Sequence, residues 1–279
     1  MKLFNTLLFS LSLSSLALAS TSSSTATSSG TSISNLRHLL QKTSFSLSVD
    51  NEVRAYALGN KRPESFRNTL ATTLGYKLTK SDSLSWYNEV NYKSDPTGAP
   101  GKTNFSESFI KYGHSGILKQ DKHGVNMGAS LTVSATPSEA TQKADGLAGY
   151  AKVAVGLSRS MGILSMSGGA AFYQFARVAG GSDENYIVLQ AAPSISLTNK
   201  LSAGAAVVLY NVKDKASPDY YQALRLIPSI DYALSANVSA SLFADAFPFS
   251  ASPGKAFKGD ITKYPEMATY GMNISLAAF

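Results

Sequence analysis

A chain of 279 residues that is 44% hydrophobic, 15% charged and free of cysteine has no disulfide, thiolate nucleophile, cysteine-ligated metal or cysteine-borne lipid anchor. Its net charge of +7 is spread singly along the sequence, with no basic run of the kind that tracks nucleic acid. Past the N-terminal region no apolar run reaches the roughly 20 residues of a membrane-spanning helix, so the apolar residues must be hidden by alternation.

Residues 1–19 read as a signal peptide. Lys2 supplies the charge, Leu7 to Leu18 an apolar core broken only by serines, and Ala17-Leu18-Ala19 the small residues for cleavage after Ala19. Residues 20–43 are rich in Ser and Thr, a composition that cannot bury a core and reads as a flexible segment. Within it Ile33 to Lys42 could form a short amphipathic helix.

From residue 44 to 279 period-two alternation takes over. Phe45, Leu47, Val49, Val53 and Ala55 share one face of the first strand, with Asp50, Glu52 and Arg54 on the other. Next, Phe66, Leu70, Leu74 and Tyr76 oppose Arg67, Thr69 and Lys77, and Leu84, Trp86, Val90 and Tyr92 oppose Tyr87, Glu89, Asn91 and Lys93. Between Asn104 and Gly116 the adjacent Phe109 and Ile110 leave the apolar register open. Charge sets it there: Glu107 and Lys111 face water, which leaves Ser106 and Ser108 on the apolar side. Leu131 and Val133 then oppose Ser130 and Thr132, and Leu147, Ala151, Val153 and Val155 oppose Tyr150 and Lys152. Leu164, Met166 and Phe172 oppose Tyr173 and Arg177, and later strands continue through Leu224 and Ile230 against Arg225 and Asp231 to Tyr270–Leu276. Pro193-Ser194-Ile195-Ser196-Leu197 recurs as Pro228-Ser229-Ile230-Asp231-Tyr232, a hairpin used twice with each proline near a turn.

The pattern predicts about twelve strands of a length suited to crossing a bilayer at a tilt, against the 5–6 residues of ordinary strands. Tight turns such as 80–83, 158–161, 198–200 and 233–235 alternate with long loops, 249–266 the longest. With strands running alternately up and down, Phe45, Tyr76, Trp86, Tyr112 and Tyr232 fall near one rim of the apolar face. Phe66, Tyr92, Tyr220 and Tyr270 fall near the other. Two aromatic girdles around an aliphatic band indicate an all-β, transmembrane, antiparallel up-and-down barrel with short periplasmic turns. The sheet must close, because lipid offers no partner to a free strand edge.

The chain ends on Phe279. In length, signal peptide, amphipathic strands and terminal phenylalanine it resembles bacterial outer-membrane β-barrel proteins and porins. The resemblance implies residence in the outer membrane, contact with its lipid, and recognition of the last strand by the outer-membrane assembly machinery.

Specificity in such a barrel lies in its lumen. The residues expected to line it are Arg54, Lys77, Glu89, Lys93, Glu107, Lys111, Lys152, Arg177, Arg225 and Asp231, joined by Tyr87, Tyr150, Tyr173, Tyr186, Tyr210 and Tyr221. Bases outnumber acids, and a wet, tyrosine-lined, mildly basic lumen suits small hydrophilic solutes with a leaning toward anions. The expected function is therefore a porin-like channel for passive diffusion, and the alternative is a sealed barrel that meets partners through its loops. No catalytic, cofactor or metal site is expected. His38, His114 and His123 stand away from any serine placed for a hydrolase, and no metal spacing or nucleotide fingerprint appears.

Overall fold

The computed structural model describes residues 44–55, 66–94, 101–135, 146–177, 183–214, 220–251 and 257–278. The expected signal peptide, the Ser/Thr-rich segment and Phe279 lie outside the described residues.

Among the described residues thirteen strands form one sheet. They are β1 (Phe45–Ala55), β2 (Arg67–Lys77), β3 (Asp82–Lys93), β4 (Lys102–Leu118), β5 (Asn126–Ala135), β6 (Leu147–Met161), β7 (Leu164–Arg177), β8 (Asp183–Ser196), β9 (Leu201–Asp214), β10 (Tyr220–Ala233), β11 (Val238–Ala251), the two-residue β12 (Lys258–Gly259) and β13 (Thr269–Ala277). Each long strand pairs antiparallel with its sequence neighbours, β11 pairs β13, and β13 pairs β1. The result is a closed up-and-down barrel of twelve strands, with β12 folded back on the end of β11. Closure leaves no long strand with an unpaired edge. A one-turn helix α1 (Gln120–His123) fills the β4–β5 connection, and a second, α2 (Tyr264–Met267), follows β12. No helix among the described residues is long and apolar enough to cross a membrane; the crossing elements of this fold are its strands.

Alternation decides which face is which. Leu70, Leu74, Leu84, Leu131, Val133, Val153, Leu189, Leu242 and Ile274 are exposed on the outside, whereas Arg54, Glu89, Thr132, Lys152 and Arg225 are buried inside. This is the inverse of a water-soluble barrel, whose apolar side chains point inward. Phe45, Tyr76, Trp86, Tyr112 and Tyr232 project outward toward the short-turn end, and Phe66, Tyr92 and Tyr270 toward the long-loop end.

Bulges or irregularities shift the pairing at five places among the described residues, and three of them bear on the lumen face. In β4 the pairing steps from Glu89↔Glu107 to Val90↔Phe105. The extra residue, Ser106, turns inward rather than to the apolar side, and its hydroxyl donates to Glu89 Oε1 at 2.6 Å. Phe109 also faces the lumen, stacked on Tyr87 with ring centroids 4.4 Å apart, while Ser108 and Ile110 face out as charge predicted. In β6 the shift between Leu147 and Gly149 carries Leu147 inward against the buried aromatic cluster, not outward with Ala151. In β11 pairing with β10 steps from Phe249 to Ala246, and Pro248, with no amide to donate, sits in that irregular stretch.

Two turn expectations are also corrected. The segment 158–161 is strand, and the turn falls at Gly162–Ile163, where Gly162 takes φ 62°, a left-handed conformation that a glycine adopts without strain. Pro228 lies well inside β10, not beside a turn. It pairs in register with Ala205 of β9, and the β10–β11 register has no pair at Pro228 itself.

Candidate functional site

Hydrogen-bonded rows of the barrel bring distant residues side by side on the inner wall. One row runs Lys111↔Thr132↔Lys152↔Tyr173↔Tyr186, one residue from each of β4 to β8. A parallel row runs Tyr87↔Phe109↔Ser134↔Tyr150↔Phe175. Because every member lies an even number of residues from its lumen-facing neighbours, all of these side chains point inward.

The long-loop half of the lumen is filled. Tyr150, Tyr173, Phe175, Tyr186 and Tyr210 form a buried cluster with Val188, Val208 and Val212, with Phe175 and Tyr186 centroids 4.6 Å apart. Beside it stands an ion network. Asp245 accepts from Arg54 Nη1 at 2.7 Å, from Arg225 Nε at 2.7 Å and from Arg225 Nη2 at 2.5 Å. Arg54 also bonds Glu52, and Arg225 Nη1 donates to Tyr210 Oη at 3.3 Å. Each guanidinium lies over a ring, Arg54 over Phe243 at 5.1 Å and Arg225 over Phe247 at 5.7 Å. Gly271 makes room for this packing: a Cβ there would lie 2.3 Å from Cζ of Phe243. The loop after β11 adds one contact from above, as Tyr264 Oη donates to the Leu226 carbonyl at 3.1 Å.

A second network occupies β2 to β6. Glu89 accepts from Tyr87 Oη at 2.7 Å, Asn91 Nδ2 at 2.9 Å and Ser106, and has Arg67 at 3.7 Å. Glu107, directly across the β3–β4 pair from Glu89, accepts from Tyr150 Oη at 2.5 Å.

The short-turn half is open. A cavity of about 710 Å³ is lined by Ser115, Asn126, Ser158, Ser165, Ser167 and Gln190 among others, with Gly156, Gly168 and Gly169 keeping the wall thin. Lys152 and Tyr173 close its inner end, the ammonium 5.0 Å from the ring centroid. Among the described residues neither Lys152 nor Lys111 forms an ion pair.

The ten residues expected to line the lumen thus occupy three situations. Arg54, Glu89, Glu107, Lys152 and Arg225 are buried within it. Lys111, Arg177 and Asp231 are half-buried on its wall, Arg177 over the Phe175 ring at 5.0 Å and Asp231 accepting from Ser229 Oγ at 3.2 Å. Lys77 and Lys93 carry lumen-face parity but end their strands, so both are exposed at opposite rims and not in the interior. Sequence reading passed over Phe109, Phe175, Phe243 and Phe247. Strict parity with Lys111, Tyr173 and Asp245 assigns all four to the lumen, so the alternation already carried the signal.

This constellation, a closed twelve-stranded barrel with an aliphatic exterior and a charged, tyrosine-rich interior, has structural relatives. No family model matches the chain, and no curated protein matches its sequence. An outer membrane channel from Pseudomonas putida F1 superposes with a TM-score of 0.54 at 9% identity, covering 84% of this chain and 95% of that one. The NanC porin superposes at 0.50 and 10% identity, covering 83% of this chain and 98% of that one. The fold is that of outer-membrane channel barrels. At these identities the likeness is one of architecture, and the lumen's own residues carry any argument about solutes.

Proposed function

We propose that this protein is an outer-membrane barrel that passes small hydrophilic solutes by diffusion, with a preference for anions. The observation that carries the reading is the serine- and glycine-lined cavity with Lys152 at its inner end and Lys111 two strands away in the same row, neither neutralised by an ion pair among the described residues. Fixed positive charge on a narrow polar wall raises local anion concentration and disfavours cations. Export through a signal peptide cut after Ala19, and recognition of the last strand by the assembly machinery, belong to this reading. So does an orientation with the short turns, and hence the cavity mouth, toward the periplasm.

One observation favours a second reading, a sealed barrel acting through its loops. Arg54 and Arg225 are each only 2% exposed, and their network with Asp245 fills the long-loop half. Planar-bilayer recording of the refolded protein under a salt gradient separates the two. Stable conductance steps with a reversal potential on the anion side support the channel; a folded barrel that stays electrically silent overturns it in favour of the sealed form.

A further inference from the structure

The outer wall is not uniformly apolar. At mid-height, the outward residues of the strands from β5 onward include Leu131, Val153, Leu189, Val207, Leu242 and Met272, whereas β2, β3 and β4 set Thr72, Asn88 and Ser108 in one cross-strand row. Trp86 Nε1 donates to Ser108 Oγ at 3.2 Å, and Ser108 Oγ donates to Asn88 Oδ1 at 3.0 Å. Nearer the long-loop rim, Asn51 Nδ2 donates to Asn68 Oδ1 at 3.0 Å on the same sector. Among the described residues the Asn88 amide nitrogen has no acceptor. Elsewhere, outward polar groups such as Gln174, Asn211 and Gln222 stand toward the strand ends.

Acyl chains offer no hydrogen bond to an amide, and a headgroup does not reach mid-height. A polar row held there therefore signals a protein partner. Its shape agrees. Thr72, Asn88 and Ser108 are half-buried between two ridges of exposed large side chains, Leu70 and Phe105 on one side and Leu74, Trp86 and Ile110 on the other. The primary amide of Asn88 is both donor and acceptor, so it is complementary to itself. Two barrels inserted in the same direction and related by a twofold axis along the membrane normal through β3 would set Asn88 against Asn88, with the ridges of each copy beside the groove of the other.

We infer that the outward face of β2–β4 is the interface of a homodimer, with Asn88 on its twofold axis. The inference rests on the membrane location proposed above but not on conduction: a silent barrel can still dimerise. Because the chain has no cysteine, single cysteines report the contact directly. In proteoliposomes at a dilute protein-to-lipid ratio, Asn88→Cys is expected to form disulfide-linked dimer several-fold more than Leu189→Cys, a control at mid-height on the far wall. In lipid nanodiscs wild type should carry two copies, and Asn88→Leu with Ser108→Ala should carry one while remaining a folded barrel. Equal cross-linking at positions 88 and 189, or a single copy of wild type per nanodisc, would overturn the inference.

Discussion

Arg54 of β1 and Asp245 of β11 are joined by a 2.7 Å bond between residues 191 positions apart in sequence. The bond spans β13, the strand that closes the barrel, and Arg225 grips the same carboxylate from β10. A single acid thus holds two buried guanidiniums across the closure. Asp245→Asn keeps the shape and removes the charge, leaving two cations under-compensated in a dry region. Loss of one partner from a buried ion pair costs about 3–5 kcal/mol, so the variant's unfolding midpoint in denaturant should fall by a corresponding amount. Replacing all three members, Arg54→Met and Arg225→Met with Asp245→Leu, should cost less than Asp245→Asn alone.

Lys111 and Lys152 offer a cleaner test of conduction than the arginines, because neither supports an ion pair among the described residues. Lys152→Glu with Lys111→Glu should move the reversal potential from the anion to the cation side with the barrel still folded. Unchanged selectivity would show that the two lysines do not face the solute path.

The two faces of the wall should answer oppositely to charge. Val153 projects outward and is 54% exposed, while Ser167 lines the cavity. Val153→Arg should destabilise folding into bilayers by about 2–4 kcal/mol, the cost of arginine at the lipid midplane. Ser167→Arg should leave stability nearly unchanged and reduce conductance. Reversed costs would mean that the barrel does not sit in a bilayer as proposed.

The segment between β12 and β13 carries a pH-dependent tie. Thr262 donates to Asp260 Oδ1 through its hydroxyl at 2.6 Å and through its amide at 2.9 Å, which holds the Asp260 carboxyl below its usual pKa. A carboxyl with a lowered folded-state pKa stabilises above the ordinary carboxylate range, and that contribution disappears as pH falls through the lowered value. Amide exchange at Thr262, taken as a ratio to the Asp260→Asn variant, should therefore rise below about pH 4. A ratio that stays flat across pH would remove Asp260 from this role.

Alternation carried most of the architecture. Phe45 to Ala55, Phe66 to Lys77 and Leu84 to Lys93 each placed their faces correctly because a pleated strand turns successive side chains to opposite sides. With such long strands, that periodicity left a closed sheet with an apolar exterior as the only arrangement satisfying every backbone group in lipid. The same rule pointed Lys152 and Arg225 inward, while for Glu107 and Lys111, where the apolar pattern left the register open, charge set the direction.

What alternation could not reach was anything decided by an extra residue or by the opposite wall. Ser106 and Leu147 face inward because a bulge shifts parity by one, and the local residue pattern does not mark where the bulge falls. The bond between Arg54 and Asp245 depends on which strands meet when the barrel closes. Whether Lys152 ends a cavity and Arg225 fills one depends on distances across the lumen. Side-chain direction along a strand is a local property, so the residue pattern already specifies a membrane barrel with a polar inside. Which charges pair, where the lumen stays open and that Thr72, Asn88 and Ser108 share a row follow from strand register and closure, which exist only in the folded barrel.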